Sequence, residues 1–127
     1  MRNARRRLRP HVSAELEAAA SARRAGDVAE AWRRLERAHI LSQPSAWLHT
    51  RVHWAMLVLA VRRFDVRELA GQLMRLAVAG VGSAVGRYPR GNTGRARVSI
   101  SEPMPIADDL AAILASVDRN RRAEIAV

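Results

Sequence analysis

Residues 26–44 read GDVAEAWRRLERAHILSQP, and the fold class follows from how this stretch is read. Gly26 stops one helix and Asp27 caps the next; Val28, Ala31, Trp32, Leu35 and Ala38 recur at helical spacing, and Pro44 ends the run. A helix from Val28 to about Ser42 is expected. The signature returns after 38 residues: Asp65-Val66 repeats Asp27-Val28, Glu68 repeats Glu30, Leu73 repeats Leu35 and Arg75 repeats Arg37. On the preceding segments His49 stands where His11 stood, and His53 where Glu15 stood.

Outward from this unit, HVSAELEAAASARRA predicts a helix that begins at Pro10 and ends near Ala25. A third helix is expected from about Ala46 to Arg62. A fourth should follow Asp65, with Val66, Leu69, Leu73, Leu76 and Ala77 as its apolar stripe. The expected fold is all-α, with two antiparallel helical hairpins forming a four-helix core over residues 10–80. Its Gly-Asp turn, alanines at Ala31 and Ala38 and closing proline resemble the second half of a tetratricopeptide unit. That resemblance covers about one repeat and implies stacked hairpins, TPR-like or bundle, more than a peptide groove.

Past Gly80 the pattern changes. Gly82, Gly86, Gly91 and Gly94 break any helix and Pro103 and Pro105 exclude a central strand, so 81–106 reads as a Gly/Pro-rich extended arm. Val98, Ile100, Met104 and Ile106 would bring that arm back across the helices. Asp108 and Asp109 open a short C-terminal helix over 107–118, with Leu110, Ile113, Leu114 and Val117 on its apolar face. Residues 1–9 read as a basic, flexible N-terminus and 119–127 as a frayed tail of one domain spanning 1–127.

Composition agrees with helices: hydrophobic residues make up 49% of the chain and aromatic ones 4%. Net charge is +10, and all 22 basic residues are arginine, as expected from a GC-rich bacterial genome. That origin weakens the inference from charge to nucleic acid, which is further disfavoured because the tryptophans lie in helical stripes and not among the arginines. The arginine-rich surface suits an acidic protein partner better. The absence of cysteine excludes disulfides and thiolate metal sites. VHWAMLVLAV, from Val52 to Val61, is about half the length of a membrane span. With no secretory signal pattern, the expected location is cytoplasmic.

The candidate site is built from all four histidines. His11 and Glu15 lie four apart on one helix, His49 and His53 four apart on another, and Glu36-Arg37-Ala38-His39 is a Glu-x-x-His pair. Helical bundles use these spacings for metal ions, because two ligands from one helix need only one or two more from a facing helix. His11, Glu15, Glu36, His39, His49 and His53 are therefore the candidate ligands of a transition metal ion, with a nitrogen-rich shell suited to zinc, iron or copper. Helix four offers only Gln72 and Met74. Met56, one turn past His53, reads as core. PRGNTG, Pro89 to Gly94, lacks the Gly-Lys-Ser/Thr of a nucleotide loop and reads as a turn.

The runs LERAHILSQ, HTRVHWAML, PRGNTGRARVS and EPMPIADDL, in that order, resemble a family of short bacterial proteins catalogued as a domain of unknown function. The resemblance spans nearly the whole chain and implies that the His and Glu pairs belong to one module with the GNTG and PMPI segments. It implies no reaction. Two functions remain open at this point. A metal-dependent enzyme would keep one metal position open to water or substrate, with a non-ligating Glu as base. An interaction module would use the histidines structurally.

Overall fold

The computed structural model describes residues 2–125, and every regular element among them is α-helical. The order is α1 (Arg2–Arg24), α2 (Val28–Ser42), α3 (Ala46–Arg62), α4 (Val66–Ala84) and α5 (Asp108–Ile125). α1 packs chiefly along α2, and α3 along α4; α2 meets α3, and α5 lies against α1 and α2. None of these helices is long and apolar enough to cross a membrane.

The sequence repeat is visible in the turns. Asp27 and Asp65 each accept a hydrogen bond from a backbone N–H three residues on, Glu30 and Glu68, at 3.0 Å in both cases, a cap that contributes about 1 kcal/mol. Before each cap the chain turns back through a left-handed residue. Asp27 N–H reaches the Ala22 carbonyl at 2.9 Å and Asp65 N–H the Ala60 carbonyl at 3.0 Å, the pattern that closes a helix C-terminus. Gly26 holds the first turn at φ 78°, whereas the second places Phe64 there at φ 54°, at a cost of about 1 kcal/mol.

α1 does not begin at Pro10 but contains it. The ring removes a hydrogen bond to the Arg6 carbonyl, costing roughly 3 kcal/mol. Leu8 and Val12, one on each side, are fully buried, and burying them contributes about 2 kcal/mol each, enough to carry the helix through. α5 runs on to Ile125 and so includes most of the expected frayed tail; Ala126 and Val127 lie outside the described residues.

The apolar core joins Leu8 and Val12 of α1, Leu35 and Leu41 of α2, Leu48, Val52 and Met56 of α3 and Leu110 and Leu114 of α5. Among the described residues, α4 contributes no fully buried apolar side chain to it. Its expected stripe is split: Leu69 is half-buried against the core, whereas Val66 and Leu73 are exposed, as are Met74, Val78, Val81 and, just past the helix, Val85. Glu68, Gln72, Arg75 and Ser83, also at helical spacing, are buried instead. The reason lies in residues 85–107, which carry no regular structure and whose 94–98 stretch meets the inner side of α4. Their backbone supplies the hydrogen-bonding partners that a polar stripe requires and an apolar stripe cannot use.

Candidate metal centre

Pro44 breaks the chain between α2 and α3, and the short turn sets the end of α2 beside the beginning of α3. His39 thereby faces His49 and His53, which the four-residue spacing already places on one side of α3. All three side chains are buried. His39 Nε2 lies 2.8 Å from His49 Nε2 and 3.1 Å from His53 Nε2. Among the described residues, these three form the His and carboxylate group whose potential ligand atoms all lie within 4.8 Å of one another.

The opposite ring nitrogens are each held by an oxygen. His39 Nδ1 stands 2.7 Å from the Asn92 carbonyl, His53 Nδ1 2.7 Å from Gln72 Oε1, and His49 Nδ1 2.6 Å from Ser83 Oγ. A carbonyl only accepts, so His39 Nδ1 carries the proton. The Gln72 amide is oriented by its own donor, which reaches Glu68 Oε1 at 2.8 Å and the Gly94 carbonyl at 2.9 Å. Its Oε1 therefore accepts from His53 Nδ1–H. In a neutral imidazole the other nitrogen is then a lone pair, and His39 and His53 point theirs at each other. A proton from His49 can satisfy His39 but leaves His53 unmatched. A cation at the meeting point satisfies all three.

The spacing suits such an ion. Two nitrogens about 2.0–2.1 Å from one metal, subtending about 90–110°, stand about 2.9–3.4 Å apart. Burial holds the His39 and His53 rings neutral, the ligating form. It pushes His39 well below its usual range, helped by the neighbouring His49 and His53 and opposed by the Asn92 carbonyl. Burial also lowers His53 to about 4, against the hydrogen bond to Gln72.

This sets a pH dependence for the metal-free protein. The unfolded chain takes up a proton near the ordinary histidine value of 6.5 and folded His53 only near 4, so the unfolded state binds more protons in between. Stability from His53 is complete above about pH 6.5 and falls as pH drops through that window, by about 2 kcal/mol at pH 5. Urea denaturation in the presence of a chelator at neutral and acidic pH measures it; equal stability at about pH 7 and pH 5 would count against buried neutral imidazoles.

The support extends outward from Gln72. Glu68, 2% exposed, accepts from Gln72, from the Ala96 backbone N–H at 3.0 Å and from Arg95 Nε at 3.1 Å. Arg95 also reaches Glu36 at 3.1 Å and lies over the Trp32 ring, 3.9 Å from its centre. The remaining sequence candidates are therefore placed elsewhere. Glu36 is paired with Arg95, Glu15 is paired with Arg34 and Arg37 at 3.2 and 2.8 Å, and His11 is exposed on α1. Arginine occupies both carboxylates, and the outward face of α1 keeps His11 in water.

The PRGNTG stretch does more than turn. Asn92 is tied by its side chain to the Ser99 and Glu102 carbonyls and to the Gly94 N–H while its own carbonyl holds His39. Gly94, at φ 78°, lies against the His39 ring so closely that a Cβ there would stand 2.6 Å from ring carbon Cδ2. Gly94→Ala is expected to destabilise the fold by about 2–3 kcal/mol, combining left-handed strain with displacement of a buried ring, and to lower metal stoichiometry. Denaturant melts and metal analysis of the variant test both; wild-type values in each would show that the ring can move freely.

His39, His49 and His53 also form one side of a cavity of about 200 Å³. Its remaining walls include Gln43, Arg75, Val78, Arg87, Tyr88 and Ile100. The chain belongs to the family described as Protein of unknown function (DUF3703), whose model matches residues 6–114. None of the curated proteins and none of the solved structures compared matches it.

Proposed function

We propose that this protein binds a transition metal ion, zinc, iron or copper, through Nε2 of His39, His49 and His53. The observation that carries the reading is the facing pair of lone-pair nitrogens on His39 and His53, 3.1 Å apart in a buried site. Hydrogen-bonded structural histidines alternate donor and acceptor, whereas the tautomers set by Asn92 and Gln72 turn His39 and His53 acceptor to acceptor. The oxygens on each Nδ1 are the arrangement that orients metal-binding imidazoles and raises their basicity. In this reading α1 with α2 and α3 with α4 form the two hairpins of the frame, and, since α4 runs on through Gly80 and Gly82 to Ala84, the arm that brings Asn92 and Gly94 to His39 is residues 85–106 and not 81–106.

Three protein ligands beside a cavity leave a coordination position for water or substrate, the feature that distinguishes catalytic from structural zinc sites. The base of such an enzyme would have to come from elsewhere than Glu15 or Glu36, which are engaged by arginines. The test is metal content by mass spectrometry on protein purified without a histidine tag. About one ion per chain supports the site. Content well below that, with no uptake of zinc, iron or copper on addition, would leave the histidines structural.

A second reading, a helical interaction module, is favoured by the outer face of α4. Val66, Leu73, Met74 and Val81 are all exposed there, an unusual concentration for the outer side of a helix. It requires no metal. Val81→Asp should then abolish partner or self association without changing metal content.

A further inference from the structure

We infer that the cavity beside the three histidines is a binding site for a small organic carboxylate. The inference rests on the metal reading above and names the class of molecule that site receives. Of the residues that line the cavity, only Arg75 and Arg87 carry a full charge by nature, and both are positive. A bound divalent ion would add to the same sign. A cavity of this kind attracts an anion, and its low-polarity walls strengthen that attraction.

Arg75 is the more telling of the two. It is 4% exposed, yet its guanidinium partners are backbone carbonyls, Gly71 at 3.4 Å and Val98 at 2.6 Å. Among the described residues no carboxylate lies within ion-pair distance of it. Glu68, the nearest candidate on its own helix, is bonded to Arg95, Gln72 and Ala96. A guanidinium has five N–H donors in a planar fork matched to a carboxylate, so a ligand can be met without breaking the two carbonyl contacts. A buried arginine with no directly paired carboxylate costs free energy that Glu68, acting at longer range, offsets only in part, and an anionic ligand compensates the rest.

Size and lining select among anions. About 200 Å³ is small against the usual range for drug-sized ligands, which limits the occupant to a molecule of single-ring size. Val78, Pro89 and Ile100 give apolar wall, suited to a hydrocarbon body and ill suited to a fully hydrated inorganic ion. A carboxylate with a compact apolar body satisfies both ends.

Benzoate serves as the probe. The protein is loaded with cobalt(II), whose visible absorption reports on groups that reach the metal, and is then titrated with benzoate, with benzyl alcohol and with inorganic phosphate. A saturable spectral change with benzoate in the millimolar range, absent with benzyl alcohol, is expected. Arg87→Ala, at an exposed side chain, should weaken benzoate about tenfold, and Arg87→Lys should restore part of it. If no cobalt spectrum develops before benzoate is added, the metal reading fails and this inference with it. A normal cobalt spectrum that benzoate leaves unchanged up to about 10 mM overturns the carboxylate site alone. So does equal binding of benzyl alcohol, a stronger response to phosphate than to benzoate, or unaltered affinity in Arg87→Ala.

Discussion

His39→Ala is expected to abolish stoichiometric metal binding and, in saturating zinc, to lower the melting temperature by roughly 10–20 °C relative to wild type. His39 makes both short contacts of the cluster, to His49 and to His53, so its loss removes the ligand that links the other two. A ligand at a thousand times its dissociation constant stabilises the folded state by about 4 kcal/mol, and the unfolded chain has no preformed site to compete. In chelator the same variant should differ much less from wild type, because the alanine also removes the lone-pair conflict. Calorimetry of both proteins with zinc and with chelator resolves the two contributions. A wild-type melting temperature that zinc does not raise would contradict the metal site. Glu36→Ala and His11→Ala serve as controls and should retain full metal content, since one carboxylate is paired with Arg95 and the other side chain is exposed.

Glu68→Ala is expected to destabilise the protein by about 3–5 kcal/mol even without metal. The carboxylate is 2% exposed and receives donors from Gln72, Arg95 and Ala96. Removing it leaves a buried guanidinium short of charge, an amide donor unmatched and a backbone N–H unpaired. Glu68→Gln should recover part of the loss, because one acceptor oxygen remains while the charge does not. Freed from Glu68, the Gln72 amide can rotate, so metal affinity should fall through His53 as well, by about 10- to 100-fold. Urea unfolding and competitive zinc titration measure the two effects. A loss below about 1 kcal/mol would mean that water replaces the carboxylate, and that the network is not closed.

The internal repeat in the sequence carried much of the helical frame. Asp27 and Asp65, Gly26 and Pro44 mark ends that the structure reproduces, because caps and breakers act through backbone groups within a few residues. Pro10 misled, since its local cost was outweighed by the burial of Leu8 and Val12, a contribution that depends on contacts with other helices. α4 misled for a similar reason. Its apolar periodicity is real, but which side of an amphipathic helix faces inward depends on what lies opposite, and the polar backbone of residues 92–98 selected Glu68, Gln72 and Arg75.

The site divides the same way. His49 and His53 belong together by helical spacing alone, and a helix break at Pro44 brings α2 near them, so the convergence of His39 was within reach of the sequence. Glu36 and His39 also share spacing, yet side chains three apart differ by about 60° in direction, and that difference sent one to Arg95 and the other to the cluster. Asn92, Gly94, Gln72, Ser83 and Glu68 carry no spacing signal, because their partners lie on other segments and the contacts are made through a carbonyl, an amide or the absence of a side chain. What the sequence determined by itself was therefore the set of helices, their caps and the pairing of His49 with His53, all consequences of interactions between near neighbours along the chain. Tertiary structure alone decided which candidate ligands meet, which arginines neutralise the others and which oxygens fix the imidazole tautomers, because burial and charge pairing are properties of segments that become neighbours only when the chain folds.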